Sequence, residues 1–293
     1  MDFIKAMNIQ NNISLKEFTT FRIGGNAKYF VKVTNIEDLK NALIYAKKNN
    51  LKTFILAKGS NVVFDDRGFD GLVILNKIDF INFHENEIET ASGTSVAKFA
   101  IECSKRNLSG FEFAAPLPGS VGGAVYMNAG ANNQQTFDTL INVTYLNENF
   151  EIINFKKEDI NFGYRYSIFQ EMKGVILSAK FKLEYKENII DHQRDLIKKR
   201  TLTQPINTRN CGCIFKNPEN NFAAKLIDEC DLKGFKIGGA KISEKHANFI
   251  VNENNAKASD VLNLIKHVKN IVYKKKNIRL HEEVRLIPYR GNE

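Results

Sequence analysis

The stretch Ala114-Ala-Pro-Leu-Pro-Gly-Ser-Val-Gly-Gly-Ala-Val-Tyr-Met-Asn-Ala-Gly-Ala-Asn-Asn133 is the most unusual in the chain. Pro116 and Pro118 fix the backbone just ahead of Gly119, and small residues then dominate, so this segment is built to approach another group closely. Gly119 to Gly123 reads as a glycine-rich turn feeding a helix that begins near Val121, whose free amides can meet a pyrophosphate. A tight turn in a crowded core is the competing reading. The spacing does not match the Gly-x-Gly-x-x-Gly dinucleotide fingerprint, and neither a phosphate-loop motif nor a Gly-x-Ser-x-Gly elbow occurs in the sequence.

Upstream, Lys58-Gly59-Ser60-Asn61 forms a second small-residue turn between the apolar run Thr53 to Ala57 and Val62-Val63-Phe64. Converging amides in such a turn can hold an anion. Around these turns the pattern alternates irregularly. Helices are predicted over Asn35–Asn49, capped by Asn35, and over Ser95–Lys105, with Cys103 a packed thiol on its apolar face. Strands follow at 140–146 and 149–155, joined by a turn at Asn147-Glu148, and at 175–183. Ile189–Lys199 reads as a helix and Thr201–Asn210 as an irregular link. Beyond it come a short helix from Ala223, a strand at 249–251, a helix over Ala258–Lys275 and a strand at 283–287. This order suggests an α+β protein of two regions rather than a doubly wound sheet, with a boundary near residue 200.

The chain has 293 residues, 43% hydrophobic and 26% charged, the composition of an ordinary globular protein. Its net charge of +9 suits a phosphorylated ligand, although much of it reads as a solvated lysine surface. Cys103, Cys211, Cys213 and Cys230 lack zinc-site spacing, and the five histidines are scattered, so no metal is expected. Met1–Asn8 carries Asp2 and Lys5, and no long apolar run follows, which points to a cytoplasmic protein with reduced thiols and no membrane insertion.

Two further segments carry reactive groups. Phe162-Gly163-Tyr164-Arg165-Tyr166-Ser167 sets an arginine among aromatics, where it either seeks a carboxylate or phosphate or lies on the surface. Gly212-Cys213-Ile214-Phe215-Lys216-Asn217-Pro218 places a thiol, a cation and an amide within five residues.

With Thr20-Phe21-Arg22-Ile23-Gly24-Gly25, Gly59-Ser60-Asn61, Pro118 to Ala124 leading to Asn128-Ala129-Gly130, and Glu283-Val284-Arg285, these segments stand as six motifs in order. In that order the chain resembles the UDP-N-acetylenolpyruvoylglucosamine reductases, from about Leu15 to Ile287, and in particular their shorter, second type. The resemblance implies a PCMH-type FAD-binding fold, shared with vanillyl-alcohol-oxidase-like enzymes. It is an α+β fold of two subdomains followed by a smaller α+β substrate domain. The implied boundaries are an extension at 1–14, the FAD domain at 15–185, a helix and linker at 186–205, and the substrate domain at 206–293.

The resemblance further implies noncovalent FAD near Gly59, Ser60, Asn61, Pro118, Gly119, Ser120, Gly122, Gly123, Asn128 and Gly130. NADPH would reduce it, and hydride would pass from N5 to C3 of the enolpyruvyl group, giving UDP-N-acetylmuramate for peptidoglycan synthesis. Arg165 would stabilise charge at the carboxylate, and Glu283 would hold the geometry or assist proton delivery. Tyr164, Lys216 and Asn217 would bind the UDP-sugar. Cys213 stands where the family has a catalytic serine, and a thiol near its usual pKa of about 8.5 still donates a proton to C2 at neutral pH. Lys216 could stabilise its thiolate, and alkylation with protection by substrate is expected. A related flavin-dependent oxidase or dehydrogenase and a basic nucleotide- or nucleic-acid-binding module are the alternatives. A monomer is favoured.

Overall fold

The computed structural model describes residues 8–290. The first layer is a four-stranded sheet ordered Gln10–Ser14, Asn26–Val33, Phe69–Asn76, Lys52–Leu56. Its first pair is antiparallel and the rest parallel. Helix α1 (Ile36–Lys48) makes the crossover that parallel strands require, capped by the Asn35 side chain, which accepts from the Asp38 amide at 2.8 Å. Residues 10–14, expected in an extension, are therefore an edge strand of this sheet, and the first seven residues of that extension lie outside the described residues. Phe69–Asn76 is buried almost throughout, so it carries a continuous apolar run instead of alternation.

The second layer is a five-stranded antiparallel sheet ordered Ile152–Lys156, Leu140–Asn147, Gly174–Lys182, Glu87–Ala91, Ile81–His84. Helices α2 (Val96–Ser104) and α3 (Val121–Met127) pack on it over Phe99, Phe111 and Phe181, with ring centroids 4.8 to 5.3 Å apart, and Cys103 is fully buried beneath them. The hairpin expected to turn at Asn147-Glu148 closes one step later. Asn147 Oδ1 accepts from the amides of Asn149 and Glu151, which builds a longer loop.

Helix α4 (Ile189–Thr203) runs four residues past the expected end at Lys199 and stops just before Pro205. After it, a four-stranded antiparallel sheet ordered Asn210–Cys213, Phe249–Asn252, Ala240–Ile242, Lys236–Ile237 is covered by α5 (Ala223–Asp228) and α6 (Ala258–Lys276). Val261, Leu264, Ile265, Val268 and Val272 form the buried face of α6.

This region is interlocked with the first. Phe21, Ile23 and Val63 belong to its core, and the last strand, Arg285–Ile287, pairs in parallel with Val62–Phe64. That pairing lays Glu283 beside the Gly59–Asn61 turn. No helix among the described residues is long and apolar enough to cross a membrane.

Candidate active site

Two loops face each other between the first two layers. A Cβ added at Gly119 would lie 3.7 Å from Val96 and 3.9 Å from Ser60 Oγ, in free space between the loops. Gly59 turns with φ +59°, and a Cβ there would be 2.3 Å from the Phe18 carbonyl oxygen. Among the described residues, the amides of Gly59, Ser60, Asn61, Gly119 and Ser120 donate to no protein acceptor. Gly59 and Ser120 are also buried. Orphaned amides around a gap that only glycine leaves open are what a bound pyrophosphate would satisfy, so the cradle fits FAD.

The helix start supplies none of these donors, contrary to the expectation of free amides from Val121 onward. The amides of Val121 and Gly122 donate to the carbonyls of Thr94 and Ser92 at 2.9 and 2.8 Å, and the Gly123 amide donates to Ser120 Oγ at 3.2 Å. Gly122 is required because a Cβ would sit 2.7 Å from that of Ser92, whereas Gly123 is exposed on the open side of α3, and Pro118 is exposed at the rim.

Asn128, expected as a cofactor contact, is fully buried and spends its side chain on the protein. Its Nδ2 donates to Gln135 Oε1 and the Gly163 carbonyl, both at 2.9 Å, and its Oδ1 accepts from the Phe137 amide. It stops α3 in the left-handed conformation and anchors the arginine turn. Gly130 likewise serves protein through its carbonyl, which accepts from Arg165 Nη2 at 2.9 Å.

Arg165 has a partner, which resolves its two readings. Its Nε donates to Glu283 Oε1 at 2.8 Å, with both side chains about one-fifth exposed or less. The residue sits at φ +55°, a costly conformation for a side chain of this size, held by Gln170, which donates to both the Arg165 and Tyr126 carbonyls. The neighbouring Glu282 points the other way, to Lys269 Nζ at 2.8 Å. Burial pushes the Glu283 carboxyl above its ordinary value, and the charges of Arg165 and Lys216 oppose that rise without cancelling it.

Cys213 ends its strand beside this pair. Burial, aided by the negative charge of Glu283, pushes its thiol up to about 12, with Arg165, Arg200 and the Asn248 amide pulling the other way. The expectation of a thiol near its ordinary value, with its thiolate helped by Lys216, is thus corrected. Lys216 acts on Glu283, and the free Cys213 is a firmly protonated thiol. Asn248 is fixed by paired bonds to the Phe215 main chain at 2.8 and 2.9 Å.

Tyr164, Lys216 and Asn217 line a groove of about 460 Å³ together with Pro218 and Glu282, the chain neighbour of Glu283. The Asn217 amide donates to the Tyr164 hydroxyl at 3.2 Å, and Asn217 Oδ1 accepts from the Ala223 amide, so that side chain also starts α5. Arg279 and His281 complete the lining, and the sequence singled out neither, because they lie outside every motif.

The fold and its cradle define the class. Residues 27–156 match the profile of the FAD binding domain, and the chain has the α+β PCMH-type FAD-binding fold. Residues 204–287 match the C-terminal domain of UDP-N-acetylenolpyruvoylglucosamine reductase. Curated reductases of that name from Protochlamydia amoebophila and Chlamydia felis are each 44% identical over 97% of this chain, covering 95% and 96% of their own lengths. The crystal structure of the enzyme from Thermus caldophilus superposes with a TM-score of 0.82 at 31% identity, over 96% of this chain and 99% of that one. The chain belongs to the UDP-N-acetylenolpyruvoylglucosamine reductase family.

Proposed function

We propose that the chain carries out its family's reaction through Arg165, Glu283 and Cys213. The reaction is the NADPH-dependent reduction of UDP-N-acetyl-3-O-(1-carboxyvinyl)-glucosamine to UDP-N-acetylmuramate in peptidoglycan precursor synthesis. The observation that carries this reading is the 2.8 Å contact between Arg165 Nε and Glu283 Oε1, made across 118 residues beside Cys213 and next to the cofactor cradle. In this reading residues 15–185 hold the cofactor, 186–205 link, and 206–293 take the sugar nucleotide.

The cradle amides of Gly59, Ser60, Asn61, Gly119 and Ser120 would hold the pyrophosphate of FAD. The chemistry FAD supplies when bound is hydride transfer from NADPH to the vinyl carbon C3. An enol ether is electron-rich, so addition at C3 needs the charge developing at C2 to be drawn into the adjacent carboxylate. Arg165 is positioned for that electrostatic role. Glu283 holds its Nε and Gly130 holds one Nη, so the guanidinium plane is set before the substrate arrives. Cys213 delivers the proton to C2 on one face, and its raised pKa keeps that proton available. Tyr164, Lys216 and Asn217, with Arg279 and His281, bind the diphosphate and sugar along the groove.

Anaerobic absorption spectra test the reading. A yellow protein bleached by NADPH and recoloured by the enolpyruvyl substrate supports it. Indifference to that substrate points to a related oxidase or dehydrogenase. A protein that takes up no FAD and binds polynucleotide in a salt-sensitive way points to the basic binding module.

A further inference from the structure

We infer that Asn248 is the positioning residue for Cys213, holding its sulfur at the place from which it protonates C2. The inference rests on the functional reading above and adds a residue to it.

The strand that carries Cys213 holds it weakly. Asn210–Cys213 pairs with Phe249–Asn252 through a register shift between Asn210 and Cys213, with Gly212 in the left-handed region at φ +81°. A bulge of this kind re-aims the side chain beside it and disrupts the ladder that would otherwise fix it. Opposite Cys213, the Phe249 amide donates to the His246 carbonyl at 3.0 Å instead of across the ladder.

Asn248 supplies what the ladder lacks. It is 3% exposed and bonds to both residues that follow Cys213. Its main-chain carbonyl accepts from the Ile214 amide at 2.9 Å, its Oδ1 accepts from the Phe215 amide at 2.9 Å, and its Nδ2 donates to the Phe215 carbonyl at 2.8 Å. A carboxamide offers a donor and an acceptor in one plane, which neither a carboxylate nor an apolar side chain of that size does. The same short segment meets the arginine pair on its other edge, where the Ile214 carbonyl accepts from the Glu283 amide at 2.8 Å and Phe215 bridges to Glu282. A shift of residues 214 and 215 therefore carries the thiol out of place relative to Arg165 and Glu283. Burial raises the Cys213 thiol, and the Asn248 amide is among the groups that oppose that rise. A misplacement of about 1 Å in a reacting group is enough to slow a step about 10²-fold.

Asn248→Ala removes both side-chain bonds and keeps the main-chain carbonyl. Anaerobic stopped-flow spectroscopy of the FAD-loaded protein measures the two half-reactions separately, and titration of the oxidised flavin spectrum gives the Kd for the enolpyruvyl substrate. Bleaching by NADPH and that Kd should stay within about 2-fold of wild type, whereas recolouring of the reduced flavin by the substrate should slow about 10- to 100-fold. Added to Cys213→Ala, the same change should slow recolouring by less than about 2-fold more, because a residue that acts through the thiol has nothing left to position. Equal slowing of both half-reactions overturns the inference and leaves Asn248 a contact of the fold. A further loss in the Cys213→Ala background as large as in the wild type also overturns it and assigns the side chain to Glu283. If Asn248→Ala fails to fold, Asn248→Ser keeps a donor and an acceptor on a shorter side chain, and the same comparison decides. Recolouring at the wild-type rate in Cys213→Ala removes the functional reading of Cys213 and this inference together. Slow recolouring in Cys213→Ala with wild-type recolouring in Asn248→Ala removes this inference alone.

Discussion

The side-chain amide of Asn61 donates to the main-chain carbonyl of Glu283 at 3.2 Å, and the Arg285 amide donates back to the Asn61 carbonyl at 3.0 Å. The two residues are 222 positions apart, yet these two bonds tie the cofactor loop to the segment carrying Glu283. Asn61 therefore contributes to the cradle through its main chain and to the position of Glu283 through its side chain.

Asn61→Ala keeps the main-chain amide and removes the clamp. Turnover is expected to fall about 10-fold or more, since small misplacements of a catalytic group are costly, with FAD content unchanged. The ratio of flavin to protein absorbance, measured beside kcat, checks this. Loss of colour would show that the side chain holds the cofactor instead.

The two cradle glycines should respond differently. Gly119 has room for a side chain and ordinary φ, so Gly119→Val should fold with nearly unchanged Tm and fail to take up FAD, because the branched side chain fills the gap toward Ser60. Gly59→Val should lower Tm sharply, since its Cβ meets the Phe18 carbonyl oxygen at 2.3 Å and its φ is +59°. Thermal melts with and without added FAD separate the two. A Gly119→Val protein that binds FAD normally would place the cofactor elsewhere.

Much of this site was legible before its geometry was known, and what was not has physical causes. The α1 cap at Asn35 and the buried face of α6 follow from local spacing, and the structure shows both. Phe69–Asn76 gave no alternation to read because it is buried on both faces. The free amides were misplaced because the acceptors for Val121 and Gly122 are the carbonyls of Thr94 and Ser92, on a turn almost 30 residues back that no local pattern announces. Asn128 sits inside a glycine-rich motif, which drew attention to it, but its bonds to Gln135, Gly163 and Phe137 are tertiary. The same holds for the pairing of Arg165 with Glu283.

Cys213 should react sluggishly. With its thiol at about 12, the thiolate fraction at pH 8 is on the order of 10⁻⁴, against about one-quarter for an ordinary cysteine. Iodoacetamide should modify Cys213 at least about 100-fold more slowly than a free thiol, by mass spectrometry of the peptide spanning 211–216. Cys213→Ser should retain substantial activity. Cys213→Ala should lose about 10²- to 10⁴-fold in kcat, the usual range for removing a general acid. Full activity in Cys213→Ala would end the assignment of Cys213 as proton donor.

The groove is expected to act through charge. Lys216→Ala and Arg279→Gln should raise KM for the UDP-sugar by about 5- to 50-fold, the loss of a charge-assisted hydrogen bond, with FAD content unaffected. Salt should weaken wild-type binding more than binding to Arg279→Gln. Titrations at two ionic strengths check this, and parallel salt slopes would remove Arg279 from the binding surface.

Glu283 ties the site to stability. Burial raises its carboxyl above the ordinary 4.5, so the folded protein holds this proton more tightly than the unfolded chain does. Unfolding free energy then falls as pH rises from 4.5 through the raised value, and levels off above it. Glu283→Gln has no proton to lose and keeps a carbonyl oxygen for Arg165 Nε, so its stability lacks that fall. The Tm of the variant minus that of the wild type should therefore grow as pH rises above 4.5, while the variant loses most of its activity because Arg165 is no longer held by a carboxylate. Calorimetry across pH 4 to 8 measures the difference. A Tm gap that shrinks with rising pH would mean that Arg165 stabilises the Glu283 carboxylate more than burial penalises it.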